Sequence, residues 1–248
     1  MGGSIDSYLG IADDWWAKDF ACSGSELRPT KTHVQQHQGA LLEATGIWIL
    51  VAGGAPLISL PADTVSTLGD RARSWSAADV ADVEGLRRHL VAACPRAVDR
   101  IIGPAFIGYG VAESLDLADA CLARPISSAA QARQLQAACQ PEEWEHGGSD
   151  PEHEQTFGCV DPGHELRALA GYAVWDGSIA HISIVTHPHC RGHGYGRAAV
   201  ALAAQHALAA GLLPQYRTLR QNLASVNIAK RLGFIEYGFS VYVRLGPA

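Results

Sequence analysis

Residues 185–200 read "VTHPHCRGHGYGRAAV". This stretch holds three histidines, one cysteine, two arginines, and glycines at the alternate positions 192, 194 and 196. The run before it, "SIAHISIVT", alternates as a half-buried strand does, and the run after it, "GRAAVALAAQHALAAG", is rich in the best helix former. The whole is therefore strand, polar glycine-spaced loop, helix, and such junctions often carry function.

Three readings of the loop stand side by side. His187, His189, Cys190 and His193 are potential zinc ligands, but His187 and His189 straddle a proline and no second ligand cluster follows at finger-like spacing. A polar loop that merely exposes its histidines is the plain alternative. The glycines favour an anion cradle: they let the backbone approach a ligand and aim successive N–H groups at it, ahead of the positive end of a helix. That helix starts near Arg197 and has no acidic residue through Ala210. The loop is not a Walker sequence, which needs Lys-Ser/Thr, nor the G-x-G-x-x-G dinucleotide fingerprint.

Here the residues reach a resemblance. "RGHGYG", residues 191–196, fits the R/Q-x-x-G-x-G/A signature of the GNAT superfamily of acyl-CoA-dependent N-acetyltransferases, and "NLASVNIAKRLGF", residues 222–234, resembles that family's N-x-x-[AS] segment running into R-L-G-F. The resemblance covers about residues 118–248. It implies a mixed, mostly antiparallel GNAT-like sheet flanked by helices. It also implies acetyl-CoA as co-substrate, with no metal. The free backbone groups of Ile184, Val185 and Thr186 would pair with the pantetheine arm. The N–H groups of Gly192, His193, Gly194, Tyr195 and Gly196 would hold the pyrophosphate, assisted by Arg191 and Arg197, and Asn222 would lie along the cofactor from the other side. Residues 1–117 carry no assignable motif and form an additional N-terminal α/β region, either a degenerate relative of the same fold or a family-specific extension.

Acetyl transfer to an amine needs a base, because a lysine-like ammonium has a pKa near ~10.4. Alternation along "IAHISIVT" puts His181 and Ser183 on one face with Val185, and Ile182 and Ile184 on the other. His181 is the first choice for the base, its alternative being a satisfied structural histidine. Glu145 and His146 come second, in a segment where the resemblance places acceptor-binding residues. Where the family often has a tyrosine as general acid, this chain has Ala229. Ser225 could protonate the leaving thiolate or could simply cap a helix, and Tyr237 is a remoter candidate. The readings that follow are an N-acetyltransferase acting on a small-molecule or peptide amine, a non-catalytic acetyl-CoA-binding regulator, and a metal-binding module.

The rest of the chain sets limits. At 248 residues, 48% hydrophobic, it can bury a substantial core. A formal charge of −6 argues against a nucleic-acid binder. The six scattered cysteines form no C-x-x-C pair and suggest reduced thiols in a cytoplasm. "MGGSIDSYLG" has no secretory pattern, and "GIWILVAGGAPLISL" is interrupted before it could span a bilayer. A homodimer contact is one role open to the N-terminal half.

Along the chain, "GIWILVA" and "APLISLP" read as a hairpin around Gly53 and Gly54. "SAADVADVEGLRRHLVAAC" reads as one helix opened by Ser76 and Asp79 in capping-box spacing. "AVDRIIGPAFIGYG" reads as a strand broken at Gly103-Pro104, and "PEEWEHGGSDPEH" as a loop. A domain boundary is expected near residues 113–117, and Gly211 should stop the alanine-rich helix.

Overall fold

The computed structural model describes residues 5–247. In chain order the elements are α1 (Ile5–Phe20), β1 (His33–Gln36), β2 (Ile47–Val51), β3 (Leu57–Leu60), α2 (Ala62–Ala72), α3 (Ala77–Ala81), α4 (Val83–Val91) and β4 (Val98–Tyr109). There follow β5 (Arg124–Pro125), α5 (Ala129–Ala138), α6 (Pro141–Gly147), β6 (Gln155–Val160), β7 (Leu166–Trp175), β8 (Ile179–Thr186), α7 (Tyr195–Ala209), β9 (Leu213–Leu219), α8 (Leu223–Leu232) and β10 (Ile235–Leu245). The fold is mixed α/β with mostly antiparallel ladders flanked by helices. Contacts divide the chain into two units. One comprises the chain up to Tyr8, Gly108–Arg217 and Ala224–Ile235; the other comprises Leu9–Ile107, Thr218–Leu223 and Glu236–Ala248.

In the second of these, the hydrogen-bonded order is β1-β3-β2-β10-β4. The β2–β3 hairpin turns through Gly53 at φ +84°, a conformation that favours glycine. Apolar residues of β2, β3 and β10 close over Leu68, Leu86 and Leu90 of α2 and α4 to make this unit's core.

Two expectations need correction here. The helix expected after Ser76 is two helices. The Ser76–Asp79 capping box forms, but Asp82 adopts φ −80° and ψ 95° and breaks the run. Strand β4 is not broken at Gly103-Pro104 but passes through it across a cis bond. Gly103 sits at φ +131°, where an added Cβ would come 2.7 Å from the Ser240 carbonyl oxygen, so the strand continues only because the residue is glycine.

In the other unit the order runs β9-β8-β7-β6-β5, with β8–β9 parallel and the remaining pairs antiparallel. Helix α7 packs on β6, β7 and β8 through a face of Gly196 and seven buried residues, six of them alanine, and these small side chains let the helix axis approach closely. An added Cβ on Gly196 would stand 2.6 Å from Thr186 Oγ1. On the sheet's other face, Val185 joins Ile126, Ala132, Leu135, Leu166 and Leu169 under α5. The alternation read along β8 places Ile184 toward Gly196 and Val185 toward α5.

The segment 141–147 is a helix, α6, rather than a loop. Pro141 occupies its first turn, Glu142 and Glu143 follow, Glu143 accepts the Gln140 N–H at 3.2 Å, and His146 lies in the last turn, an order that suits the helix dipole throughout. Gly211, at φ +76°, ends α7 as expected. Gly233 of the R-L-G-F element lies at φ +84°, where any side chain would collide with the Ser114 carbonyl. No helix among the described residues is long and apolar enough to cross a membrane.

Candidate active site

The parallel ladder between β8 and β9 runs from Ile179↔Leu213 to Ile182↔Tyr216 and stops. On its other side β8 stays paired with β7 as far as Ala168↔Thr186, so the register to β9 ends four residues before the strand does. Ile184, Val185 and Thr186 lie in this stretch, still paired with β7, and lead directly into the glycine loop. The backbone groups there that face away from β7 have no β9 partner, and the Thr186 carbonyl accepts from Arg191 Nε at 3.5 Å.

Within the loop, Gly192 and Gly194 adopt φ +81° and +86°, and an added Cβ at either would meet nothing within 4 Å. Packing therefore does not demand glycine at these positions; backbone geometry does. Gly194 is the N-cap of α7, and the first helical hydrogen bond is Ala198 N–H to the Gly194 carbonyl at 3.0 Å. The N–H groups of Tyr195, Gly196 and Arg197 precede that bond, and no acidic residue occupies the first turn. Left-handed residues spaced along an exposed loop, leading into a fifteen-residue helix, make an anion-binding concavity. The residues present fit a pyrophosphate.

Both arginines of this region are ion-paired. Arg191 Nη2 donates to Glu143 Oε1 and Oε2 at 2.8 and 2.9 Å, tying the loop to α6. Arg197 pairs with Asp119 at 2.5 Å. His193 donates through Nδ1 to the Arg191 carbonyl at 3.0 Å, and His187 Nδ1 accepts the His189 N–H at 3.3 Å. Among the described residues, no three His, Cys, Asp or Glu side chains stand together as a metal site. Asn222 belongs to the other unit, where its N–H donates to the Leu219 carbonyl at 2.9 Å.

His181 projects from β8 opposite Gln215 of β9, and its Nδ1 lies 2.9 Å from Gln215 Oε1. Trp175 stacks on the imidazole with centroids 3.9 Å apart and planes 11° from parallel. Burial pushes the imidazole pKa down to about 4, against the opposing hydrogen bond from Gln215 and with help from the Arg217 charge. The ring is therefore neutral at physiological pH and keeps a lone pair to accept a proton.

Ser225 lies in the first turn of α8, where its hydroxyl shares a 2.9 Å hydrogen bond with that of Tyr216, a fully enclosed side chain whose pKa burial pushes up to about 12. The Tyr237 hydroxyl is spoken for in the other unit, donating to Asp13 Oδ1 at 2.8 Å. Glu145 stands on α6 at an open cleft of about 450 Å³ lined also by Gln136, Cys139, Pro141 and Trp144. His146 is exposed beside it. Strand alternation puts His181 and Ser183 on the face of β8 that carries Val185, against which Gly147 and Trp144 of α6 pack. Sequence reading missed Gln215, Tyr216 and Trp175, which carry no local signal and are brought to the site only by strand register and packing.

The depressed pKa of His181 has a consequence for stability. His37, in the other unit, is also pushed below its ordinary value by burial, with Ser59 Oγ 2.7 Å from its Nδ1 and the Gly46 carbonyl 2.8 Å from Nε2. Groups whose folded pKa lies below the unfolded value near ~6.5 contribute fully above that pH, and the contribution is lost as pH falls through the folded value. For His181 the window runs from ~6.5 down to about 4, and its whole contribution is up to about 3 kcal/mol. Melting temperature should therefore decline steadily from pH 6.5 to 4.5, and His181→Gln should flatten part of that slope. A melting curve unchanged across the range in the native protein would refute the burial argument.

Comparison with known proteins supplies the context. The sequence profile of the acetyltransferase (GNAT) family matches residues 129–234. No curated protein sequence matches the chain. Among solved structures, a GNAT-family protein from Novosphingobium aromaticivorans is 18% identical, with a TM-score of 0.49 over 62% of this chain and 69% of that one. An acetyltransferase of the GNAT family from Colwellia psychrerythraea is 15% identical, with a TM-score of 0.44 over 60% and 59%. A Drosophila protein is 16% identical, with a TM-score of 0.45, and spans 97% of this chain and 88% of its own. The chain thus covers 69% and 59% of the lengths of the two bacterial proteins.

Proposed function

Because residues 129–234 belong to the GNAT acetyltransferase family, we propose that this protein transfers an acetyl group from acetyl-CoA to the primary amine of a small molecule or peptide. The observation that carries the reading is the junction itself: a strand whose ladder to β9 ends at Ile182, followed by two left-handed glycines and an acid-free helix start. Acetyl-CoA supplies the acetyl group as an activated thioester. The unpaired edge at Ile184, Val185 and Thr186 binds its pantetheine arm. The N–H groups of Gly192, His193, Gly194, Tyr195 and Gly196, with the first turn of α7, bind its phosphates. Arg191 and Arg197 flank that loop and are the proposed phosphate partners, each reaching the phosphates by giving up its present carboxylate, Glu143 or Asp119. Asn222 enters the proposed set on sequence pattern alone.

His181 serves as the base, accepting at Nε2 the proton that the acceptor nitrogen loses, and then releases it to solvent. Ser225 donates a proton to the departing sulfur and regains one from solvent, and the Tyr216 hydroxyl at 2.9 Å orients it. An imidazole titrating near 4 is a weak base for an alkylammonium near ~10.4, so the acceptor must arrive as the free amine. Turnover should accordingly rise with pH toward the acceptor's own pKa. The cleft beside Glu145 is the proposed entry for the acceptor, with the glutamate available to a cationic group.

A second reading, a non-catalytic acetyl-CoA-binding regulator, is favoured by Ala229, a fully buried residue where the family often has its acid. Calorimetry with CoA, followed by a thiol-release assay over a panel of amines, separates the two. Heat of binding with thiol release supports the enzyme. Heat without release from any amine supports the regulator. No binding of CoA or acetyl-CoA sinks both. Within the enzyme reading, Ser225→Ala should lower kcat by roughly 10-fold or more while leaving CoA affinity unchanged. Wild-type turnover in that variant would return Ser225 to helix capping.

A further inference from the structure

We infer that Gln215, backed by Tyr109, is a positioning residue that fixes His181 with its proton on Nδ1 and its lone pair on Nε2. The inference rests on the proposed role of His181 as base, and deepens it.

The geometry is a three-member chain. Gln215 Nε2 donates to the Tyr109 hydroxyl at 2.8 Å, which turns the amide oxygen toward His181, and Oε1 then lies 2.9 Å from Nδ1. In this orientation of the amide the carbonyl oxygen can only accept, so Nδ1 carries the hydrogen and Nε2 the lone pair. Gln215 and Tyr109 are both fully buried, so neither rotates to exchange partners with water. The parallel register places Gln215 directly across from His181, and Trp175 stacked on the ring restrains its rotation. With one nitrogen tied and the plane fixed, Nε2 has a defined direction.

The choice of an amide matters. A carboxylate in the same place would orient the ring equally well but would also stabilise the imidazolium, raising its pKa. Gln215 orients without charge. The charged and titratable groups that face the ring are Arg217, also on β9, which opposes protonation, and, behind Gln215, Tyr109 of β4, a neutral phenol. Trp175 of β7 contributes no charge. The site is thus built to hold a neutral histidine in one tautomer, and the balance of the step is simple. Nε2 gains the proton from the acceptor nitrogen, the cation then carries N–H on both nitrogens, and Gln215 Oε1 keeps the hydrogen bond throughout.

The test reads the tautomer directly. Nitrogen-15 NMR of the full-length protein, histidine-labelled and assigned with His181→Gln, should show His181 neutral at pH 7 and protonated on Nδ1. Gln215→Leu should erase that preference and lower kcat by roughly 10-fold with KM for acetyl-CoA unchanged. Gln215→Glu should raise the His181 titration midpoint by about one unit or more, while the acidic limb of the pH–rate profile, set by the acceptor amine, stays in place. A wild-type His181 protonated on Nε2 would overturn the inference without any variant, and so would an unchanged tautomer and kcat in Gln215→Leu. The NMR measurement needs no activity. If the Nδ1–H tautomer is found and depends on Gln215 but His181→Ala keeps full activity, the base assignment fails and the catalytic part of this inference fails with it. If His181→Ala is inactive and Gln215→Leu is not impaired, only the positioning role fails.

Discussion

Replacing Gly194 with glutamate is expected to abolish CoA binding, raising Kd by roughly 100-fold or more, equivalent to about 2.7 kcal/mol. Two effects add. Gly194 holds φ +86°, a region where an L-residue costs on the order of 1 kcal/mol, so the loop would relax away from the conformation that aligns its N–H groups. The carboxylate would also sit at the positive end of α7, where it competes with the phosphates for the same donors and repels them. Gly194→Ala separates the two, because an added Cβ meets nothing within 4 Å and therefore tests backbone geometry alone. It should weaken CoA by roughly 5-fold, the equivalent of about 1 kcal/mol. Calorimetry on folded variants, checked by circular dichroism, gives the answer. Undiminished CoA affinity in Gly194→Glu would remove the basis for placing the cofactor at this loop.

How much of this was readable in the sequence depends on the distance over which each contact is made. The β8–loop–α7 junction was legible because its signals are local: a period-two strand, alternate glycines, then an alanine-rich run. The chemistry around His181 was half legible. Strand alternation gave its face, but Gln215 is 34 residues away and Tyr109 lies a further 106 residues from Gln215, so only the β8–β9 register brings them together. The Arg191–Glu143 pair spans 48 residues and was hidden for the same reason.

Two misreadings had another cause. Pairs of turn-forming residues, Gly147-Gly148 at the end of α6 and Gly103-Pro104 inside β4, outweighed the signals beside them. In α6 those signals were Pro141 and the acidic first turn. In β4 it was a strand run on both sides of Gly103, whose lack of a side chain admits the neighbouring Ser240 carbonyl. The two units interleave in sequence, because β4, β9 and β10 each contribute residues to both, and no composition shift marks such a division.

His181→Ala should lower kcat for acetyl transfer by roughly 10²-fold or more, with CoA affinity little changed. The imidazole is off the glycine loop and bonds to Gln215, so its removal leaves the cofactor cradle intact. What is lost is the lone pair at Nε2, and with it the path by which the acceptor nitrogen sheds its proton. Because burial holds the wild-type ring near 4, the native enzyme should keep its base in working form down to about pH 5, and the low-pH decline should follow protonation of the acceptor instead. The variant should lose activity by the same factor at every pH at which the native ring is neutral, and its circular dichroism, unchanged from the native protein, separates this loss from a folding defect. Removing the ring also empties the space against Trp175, so a second variant, His181→Gln, keeps volume and a hydrogen bond toward Gln215 while lacking a base of comparable strength. It should be as inactive as His181→Ala but melt closer to the native protein. Added imidazole should restore part of the rate in His181→Ala. Near-native turnover in both variants across the pH range would show that the Trp175–His181–Gln215 stack serves the sheet and not the reaction.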